Sequence, residues 1–211
     1  MLNLVVLISG SGSNLQAIID HIEAGKLDAS IAAVISNRPD AYGLERARTH
    51  GIDAIGLDHK TFDQREDFDQ KLRKTIDQYQ PQLLVLAGYM RILSPDFIQH
   101  FAPQMINIHP SLLPKYQGLN THQRALDNGD QEHGISIHVV TPELDAGPVL
   151  LQGRFPIETG DDAAALQQRG HQLEHQMYPQ VIQWVAEGRL QLDTRQPVFD
   201  HEPLLAPIQF S

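Results

Sequence analysis

Asn107 and His109, an amide and an imidazole two positions apart, carry the clearest chemistry in the chain. They lie in Met105-Ile-Asn-Ile-His-Pro-Ser-Leu-Leu-Pro114. Apolar Met105, Ile106 and Ile108 predict a strand, and Pro110 and Pro114 end it, because proline cannot donate to a sheet ladder. Residues two apart on a strand point to the same side. An amide donor and an imidazole therefore converge at a strand's C-terminal end, the edge where open α/β sheets bind ligands. Such a pair can stabilise negative charge on a carbonyl oxygen, by about 3–4 kcal/mol per donor. A plainer account of a lone strand-end histidine is structural.

Asp145 strengthens the chemical account. It sits in the loop Thr141-Pro-Glu-Leu-Asp-Ala-Gly-Pro148. A carboxylate there can accept a hydrogen bond from His109, fix the ring and favour its charged form. Ser136, His138 and Val140 share one face of a further strand, so His138 is a candidate partner behind the trio or simply a half-buried histidine. His109, His138 and Asp145 also supply the number of donors a metal needs, although a proline-bounded Asn-x-His is not a ligand signature. The other histidines weighed, His21, His50, His59, His100, His171, His175 and His201, fall on helices or loops without suggestive neighbours.

A second constellation is Ser9-Gly-Ser-Gly-Ser-Asn14, between the apolar run Leu2–Ile8 and a helical stripe of Leu15, Ile18, Ile19 and Ile22. Glycines let backbone approach a ligand, and a helix N-terminus offers free N–H groups and partial positive charge. The stretch reads as an anion cradle or as an ordinary glycine-containing turn. Leu15 replaces the third glycine of the dinucleotide fingerprint, and the P-loop lysine is missing. Gly10-Ser11-Gly12 is one residue too tight for a serine nucleophile elbow. Ser13 and Gln16 have capping-box spacing, as do Thr61 and Gln64.

Strands and helices alternate around these residues. Strands are predicted at 2–8, 31–35, 54–57, 83–87 and 105–109. Helices are predicted from Leu15 to about Gly25, from about Gly43 to Thr49, after Thr61 (stripe Phe68, Leu72, Ile76, Tyr79) and from Ser94-Pro95 to Pro103. This rhythm argues for right-handed βαβ units and a parallel sheet. After residue 110 it changes to a short helix from Asn120 to Leu126 and a strand from Ile135 to Val140. A strand from Val149 to Ile157 follows, antiparallel to its predecessor, and then a long helix from about Asp162 to Gly188 that Pro179 bends. The expected fold is α/β, Rossmann-like, a mostly parallel twisted sheet with helices on both faces and an antiparallel strand in the C-terminal part. Residues 1–190 form the domain, and 191–211, with Pro197, Pro203 and Pro207, an irregular tail packed on it.

The bulk numbers narrow the classes. The 211 residues are 41% hydrophobic and 20% charged, enough for a sizeable core. There is no cysteine, which excludes thiolate chemistry and disulfides. A net charge of −10 argues against gripping a nucleic-acid backbone. The apolar run from Leu4 to Ile8 is too short to span a membrane and no basic residue precedes it, so the expected location is cytoplasmic.

Taken together, the Ser9–Gln16 loop, Ala87-Gly-Tyr-Met-Arg-Ile-Leu93, Asn107–Pro114 and Leu144–Pro148 resemble the folate-dependent formyltransferases, over about residues 2–190. The resemblance implies transfer of formyl from 10-formyltetrahydrofolate to the primary amine of glycinamide ribonucleotide, in purine (IMP) synthesis. By the same resemblance Asn107, His109 and Asp145 are catalytic. Ser11, Gly12, Ser13, Asn14 and Glu174 take the ribonucleotide. Arg65, Met90, Arg91, Ile92, Leu93, Asn107, Val140, Thr141 and Asp145 take the folate. It implies no metal and no tightly bound cofactor, the folate being a co-substrate, and a monomer or homodimer with no nucleic-acid or membrane partner. The rivals are a formyltetrahydrofolate hydrolase and a non-catalytic binder of a phosphorylated metabolite. Gln117 and Asn120 stand where relatives often carry proline and histidine, and neither is expected to touch the catalytic trio.

Overall fold

A computed structural model describes residues 1–211. Strands β1 (Leu2–Ile8), β2 (Ala29–Ser36), β3 (Asp53–Gly56), β4 (Leu83–Leu86) and β5 (Met105–His109) alternate with helices α1 (Ser13–Glu23), α2 (Tyr42–Thr49), α3 (Arg65–Asp77) and α4 (Pro95–Phe101). Then come α5 (Thr121–Asp127), β6 (Glu132–Val139), β7 (Val149–Pro156) and α6 (Ala163–Ala186). The last residues add β8 (Leu190–Gln191), β9 (Val198–Phe199), β10 (Glu202–Pro203) and β11 (Ile208–Gln209).

The main sheet has the order β11-β7-β6-β5-β4-β1-β2-β3. Neighbours from β3 to β5 run parallel, β6 is antiparallel to β5 and to β7, and β11 is parallel to β7. β1 is buried along Leu4–Ile8, as its unbroken apolar run requires. The core lies on both sides of the sheet. One half joins residues of α1, α2 and α6 to Leu4, Val6, Ile106 and Ile108. The other joins Phe68, Leu72, Ile76, Phe97 and Phe101 of α3 and α4 to Val5, Leu7 and Met105. The mostly parallel sheet with helices on both faces is the expected one.

Three local expectations are corrected. α1 has no side-chain cap, because its N-cap is Gly12 at φ 71 rather than a serine, so Ser13 and Gln16 form no capping box. Thr61 closes a 3₁₀ turn, His59–Thr61, and α3 starts after Gln64 without a side-chain cap. The stretch after 190 is not irregular: β8, β9 and β10 make a three-stranded sheet and β11 extends the main one. The Ser94-Pro95 signal does hold, with Ser94 Oγ accepting from Phe97 N–H and proline at the helix start. α6 runs through Pro179 as one helix.

Candidate active site

The site is built where β1, β4 and β5 end, at the C-terminal edge of the parallel strands. A cleft of about 1200 Å³ opens there, lined by Ser9–Asn14, Leu86–Leu93, Asn107–Pro110, His138, Val140–Pro142, Leu144, Asp145 and Glu174.

Asn107 and His138 are opposite each other across the antiparallel β5–β6 pair. Val139 O accepts from His138 Nδ1–H at 2.9 Å. The other ring nitrogen, Nε2, then faces Asn107 Nδ2 at 3.2 Å as an acceptor. Burial disfavours the charged ring and pushes the His138 pKa down, which keeps Nε2 an acceptor. One N–H of the Asn107 amide is thus committed, and its second is left for a ligand.

His109, 5% exposed, donates from Nε2 to Tyr116 O at 2.8 Å. Its Nδ1 lies 3.5 Å from Asp145 Oδ2, and His138 Nε2 lies 3.7 Å from Asp145 Oδ1. Both nitrogens of His109 therefore face acceptors, an arrangement a doubly protonated ring satisfies. Asp145 adopts φ 50, a left-handed conformation that aspartate tolerates better than most residues. Its Oδ2 also accepts from Gly118 N–H at 2.9 Å. Gln117 Nε2 donates to Asp145 O at 3.2 Å, so Gln117 does touch the trio, contrary to expectation, because the loop after β5 folds back over Asp145. Asn120 takes the left-handed position ahead of α5, at φ 57. No group of three His, Cys, Asp or Glu side chains is arranged to hold a metal ion.

The glycine loop forms the opposite wall. A Cβ on Gly12 would sit 2.7 Å from Gly43 Cα, so both its dihedral angle and its packing against α2 demand glycine. Arg46 on α2 donates to Ser11 O at 2.9 Å and fixes the loop from behind. The first helical bond of α1 is Gln16 N–H to Gly12 O. The N–H groups of Ser13, Asn14 and Leu15 therefore have no intrahelical acceptor, and an anion can take them. Asn14 Nδ2 donates to Glu174 Oε2 at 2.8 Å, across the α1–α6 contact. Burial raises the pKa of Glu174, and the Asn14 hydrogen bond opposes that rise.

Among the expected folate residues, Met90, Arg91, Ile92, Leu93, Val140, Thr141 and Asp145 line the cleft. Met90 and Ile92 are 68% and 55% exposed, an apolar rim. Arg65 does not line the cleft; it is exposed at the first position of α3. His59, His122 and His171 do line it. Their periodicity gave no reason to single them out, since each reaches the cleft only through tertiary packing.

The chain matches the protein family described as Formyl transferase over residues 2–182. It is 54% identical over 191 residues to phosphoribosylglycinamide formyltransferase of Escherichia coli (strain K12), covering 90% of each chain. It is 41% identical over 187 residues to the human trifunctional purine biosynthetic protein adenosine-3, covering 89% of this chain and 18% of that protein. The structure of phosphoribosylglycinamide formyltransferase from Coxiella burnetii superposes with a TM-score of 0.95 at 52% identity, covering 100% of this chain and 99% of that one.

Proposed function

The chain belongs to the formyl transferase family, and we propose that it moves the formyl group of 10-formyltetrahydrofolate to the amine of glycinamide ribonucleotide, a step of purine synthesis. The observation that carries this is the pairing of the Asn107 amide and the His109 ring on one side of a strand end, with Asp145 behind them and an uncapped helix N-terminus in the same cleft.

In this account the ribonucleotide phosphate takes the free N–H groups of Ser13 and Asn14, with Ser11 and Gly12 shaping the loop. Glu174 accepts from the glycinamide end. The folate lies along Met90–Leu93 and the Val140–Asp145 loop, with Arg65 at its outer, glutamate-bearing end. The amine attacks the formyl carbon, a C–N bond forms, and the formyl oxygen becomes an anion. Asn107 donates its uncommitted N–H to that oxygen and His109 supplies positive charge beside it. The bond to folate N10 then breaks. The proton lost by the amine reaches N10 through water, with Asp145 as the nearby carboxylate. Asp145 holds His109 in place across the 3.5 Å contact between its Oδ2 and the ring Nδ1. The reaction is placed in the cytoplasm, and the protein acts as a monomer or homodimer. No helix is long and apolar enough to cross a membrane.

The test is to incubate the protein with 10-formyltetrahydrofolate, with and without glycinamide ribonucleotide, and to follow deformylated folate and formylated amine together. The proposal expects both products in equal amounts, and only with the amine present. Folate release without the amine indicates a hydrolase. No release in either case sinks the enzymatic assignment.

A further inference from the structure

Two backbone N–H groups frame the cleft segment Met90–Leu93, and both are held by side chains distant in sequence. Met90 N–H donates to Ser9 Oγ at 2.8 Å, and Ser94 N–H donates to Asp69 Oδ2 at 2.7 Å. Ser9 directly follows β1, and its hydroxyl donates to Asn37 Oδ1 at 2.5 Å. Asp69 projects from α3 and is 2% exposed. The preceding residue, Phe68, carries the Arg91 guanidinium 4.6 Å above its ring centroid. α3 thus grips the same segment twice, once through a ring and once through a carboxylate.

The surroundings of Asp69 are polar where an ordinary helix–loop contact would be apolar. Tyr89, 8% exposed, lies close enough to Asp69 and Arg91 to feel both charges; burial first, and Asp69 next, push its phenol up. Asp69 Oδ1, the Tyr89 hydroxyl and Arg91 Nε are buried and have no hydrogen-bond partner. Burying a carboxylate beneath a loop costs stability that an apolar residue would not incur. What the carboxylate provides in return is a short charge-assisted bond, stronger and more directional than a neutral one. That bond fixes the backbone at Ser94, the residue that also caps α4.

We propose that Asp69 is a positioning residue for the folate side of the cleft. It pins Ser94 so that the exposed apolar rim of Met90 and Ile92 and the backbone of Met90–Leu93 are set before the folate arrives. This rests on the reading that the segment receives the folate. Asp69 does not touch the reacting atoms, so it governs folate affinity and leaves the chemical step at Asn107 and His109 alone.

The experiment compares Asp69→Ala and Asp69→Asn with the unaltered protein in steady-state kinetics with both substrates. Asp69→Ala should raise KM for 10-formyltetrahydrofolate about tenfold, as expected for losing a hydrogen bond to a charged group. Its kcat should stay within about twofold and its KM for the ribonucleotide should not move, a split that localises the effect to one substrate. Asp69→Asn keeps an acceptor oxygen without the charge and should show a smaller rise in the same constant. A lowered melting temperature with both KM values unchanged assigns Asp69 a purely structural role and overturns the proposal. If Asp69→Ala does not fold, Asp69→Asn decides alone, and an unchanged folate KM overturns it. If the unaltered protein transfers no formyl group, the functional reading fails instead. Hydrogen exchange then tests the pin, with faster exchange at Ser94 in Asp69→Asn expected and equal exchange contradicting it.

Discussion

His109 Nδ1 lies 3.5 Å from Asp145 Oδ2, with 7% and 9% of the two side chains exposed. The pair is held by strand β5 on one side and by a left-handed turn on the other, 36 residues apart by their numbers (109 and 145). A carboxylate this dry has few other ways to be satisfied, and it takes Gly118 N–H as its one backbone donor. Its position next to the ring decides what His109 can do.

Asp145→Asn should preserve the fold, because asparagine also tolerates the left-handed backbone at φ 50. Its loss should appear in kcat, by about 10²- to 10³-fold, the scale found when a group stabilising transition-state charge is removed. Steady-state kinetics beside a thermal melt separates the two effects. A near-normal kcat would show that the charge beside His109 is not needed.

His138 orients Asn107 through the 3.2 Å contact of its Nε2 with the Asn107 amide. His138→Phe fills a similar space and removes that acceptor. The freed amide can then rotate, and kcat should fall about tenfold, the lower end of what is seen when an orienting partner of a site residue is lost. KM values that change while kcat holds would place His138 in binding rather than in orientation.

Glu174 is a buried carboxylate whose pKa burial raises, so its charge destabilises the folded chain near neutral pH. Asn14 Oδ1 is buried without a partner, and a glutamine amide at 174 can donate to it while its oxygen accepts from Asn14 Nδ2. Glu174→Gln should therefore raise the melting temperature, with a larger gain at pH 8 than at pH 5, and should raise KM for the amine substrate. A lower melting temperature at pH 8 would contradict this.

His133 is 1% exposed. Burial first, and the neighbouring His122 next, lower its pKa to about 4 from an ordinary 6.5. The unfolded chain takes up this proton at higher pH than the folded one does. The contribution of His133 to stability is therefore full above about pH 6.5 and falls as pH drops toward 4. His122 and His138, also lowered, act in the same direction. The urea midpoint should be lower at pH 5 than at pH 7.5, and His133→Gln should reduce the difference. A pH-independent difference between the two proteins would contradict it.

Much of this was legible in the sequence because it rests on short-range pattern. The apolar runs of β1 and β4, the stripe of α3 and the Ser94-Pro95 start are each decided within a few residues. Asn107 and His109 were legible because strand alternation alone puts them on one side. What escaped depends on contacts across the fold. Gly12, not Ser13, caps α1 because α2 packs against the loop and leaves no room for a side chain. Tyr178 donates toward Leu86 O and Ile106 O, at 2.8 and 3.1 Å, and ties β4 to β5 beneath the cleft. Its position within the long helix α6 gives no hint of this. Asp69 reads as an ordinary helical acid until Ser94 is placed beside it. β11 is visible only as a partner of β7, since two residues carry no strand signature of their own.

In this mechanism Asn107 and His109 act together on one oxygen. The most direct measurement is kcat/KM for formyl transfer in Asn107→Ala, His109→Ala and the double variant. Each single change should cost about 10²- to 10³-fold. The double variant should lose clearly less than the product of the two, as for groups that act as a unit. Either single variant retaining a rate within about threefold of the unaltered protein, or losses that multiply in full, would contradict the account.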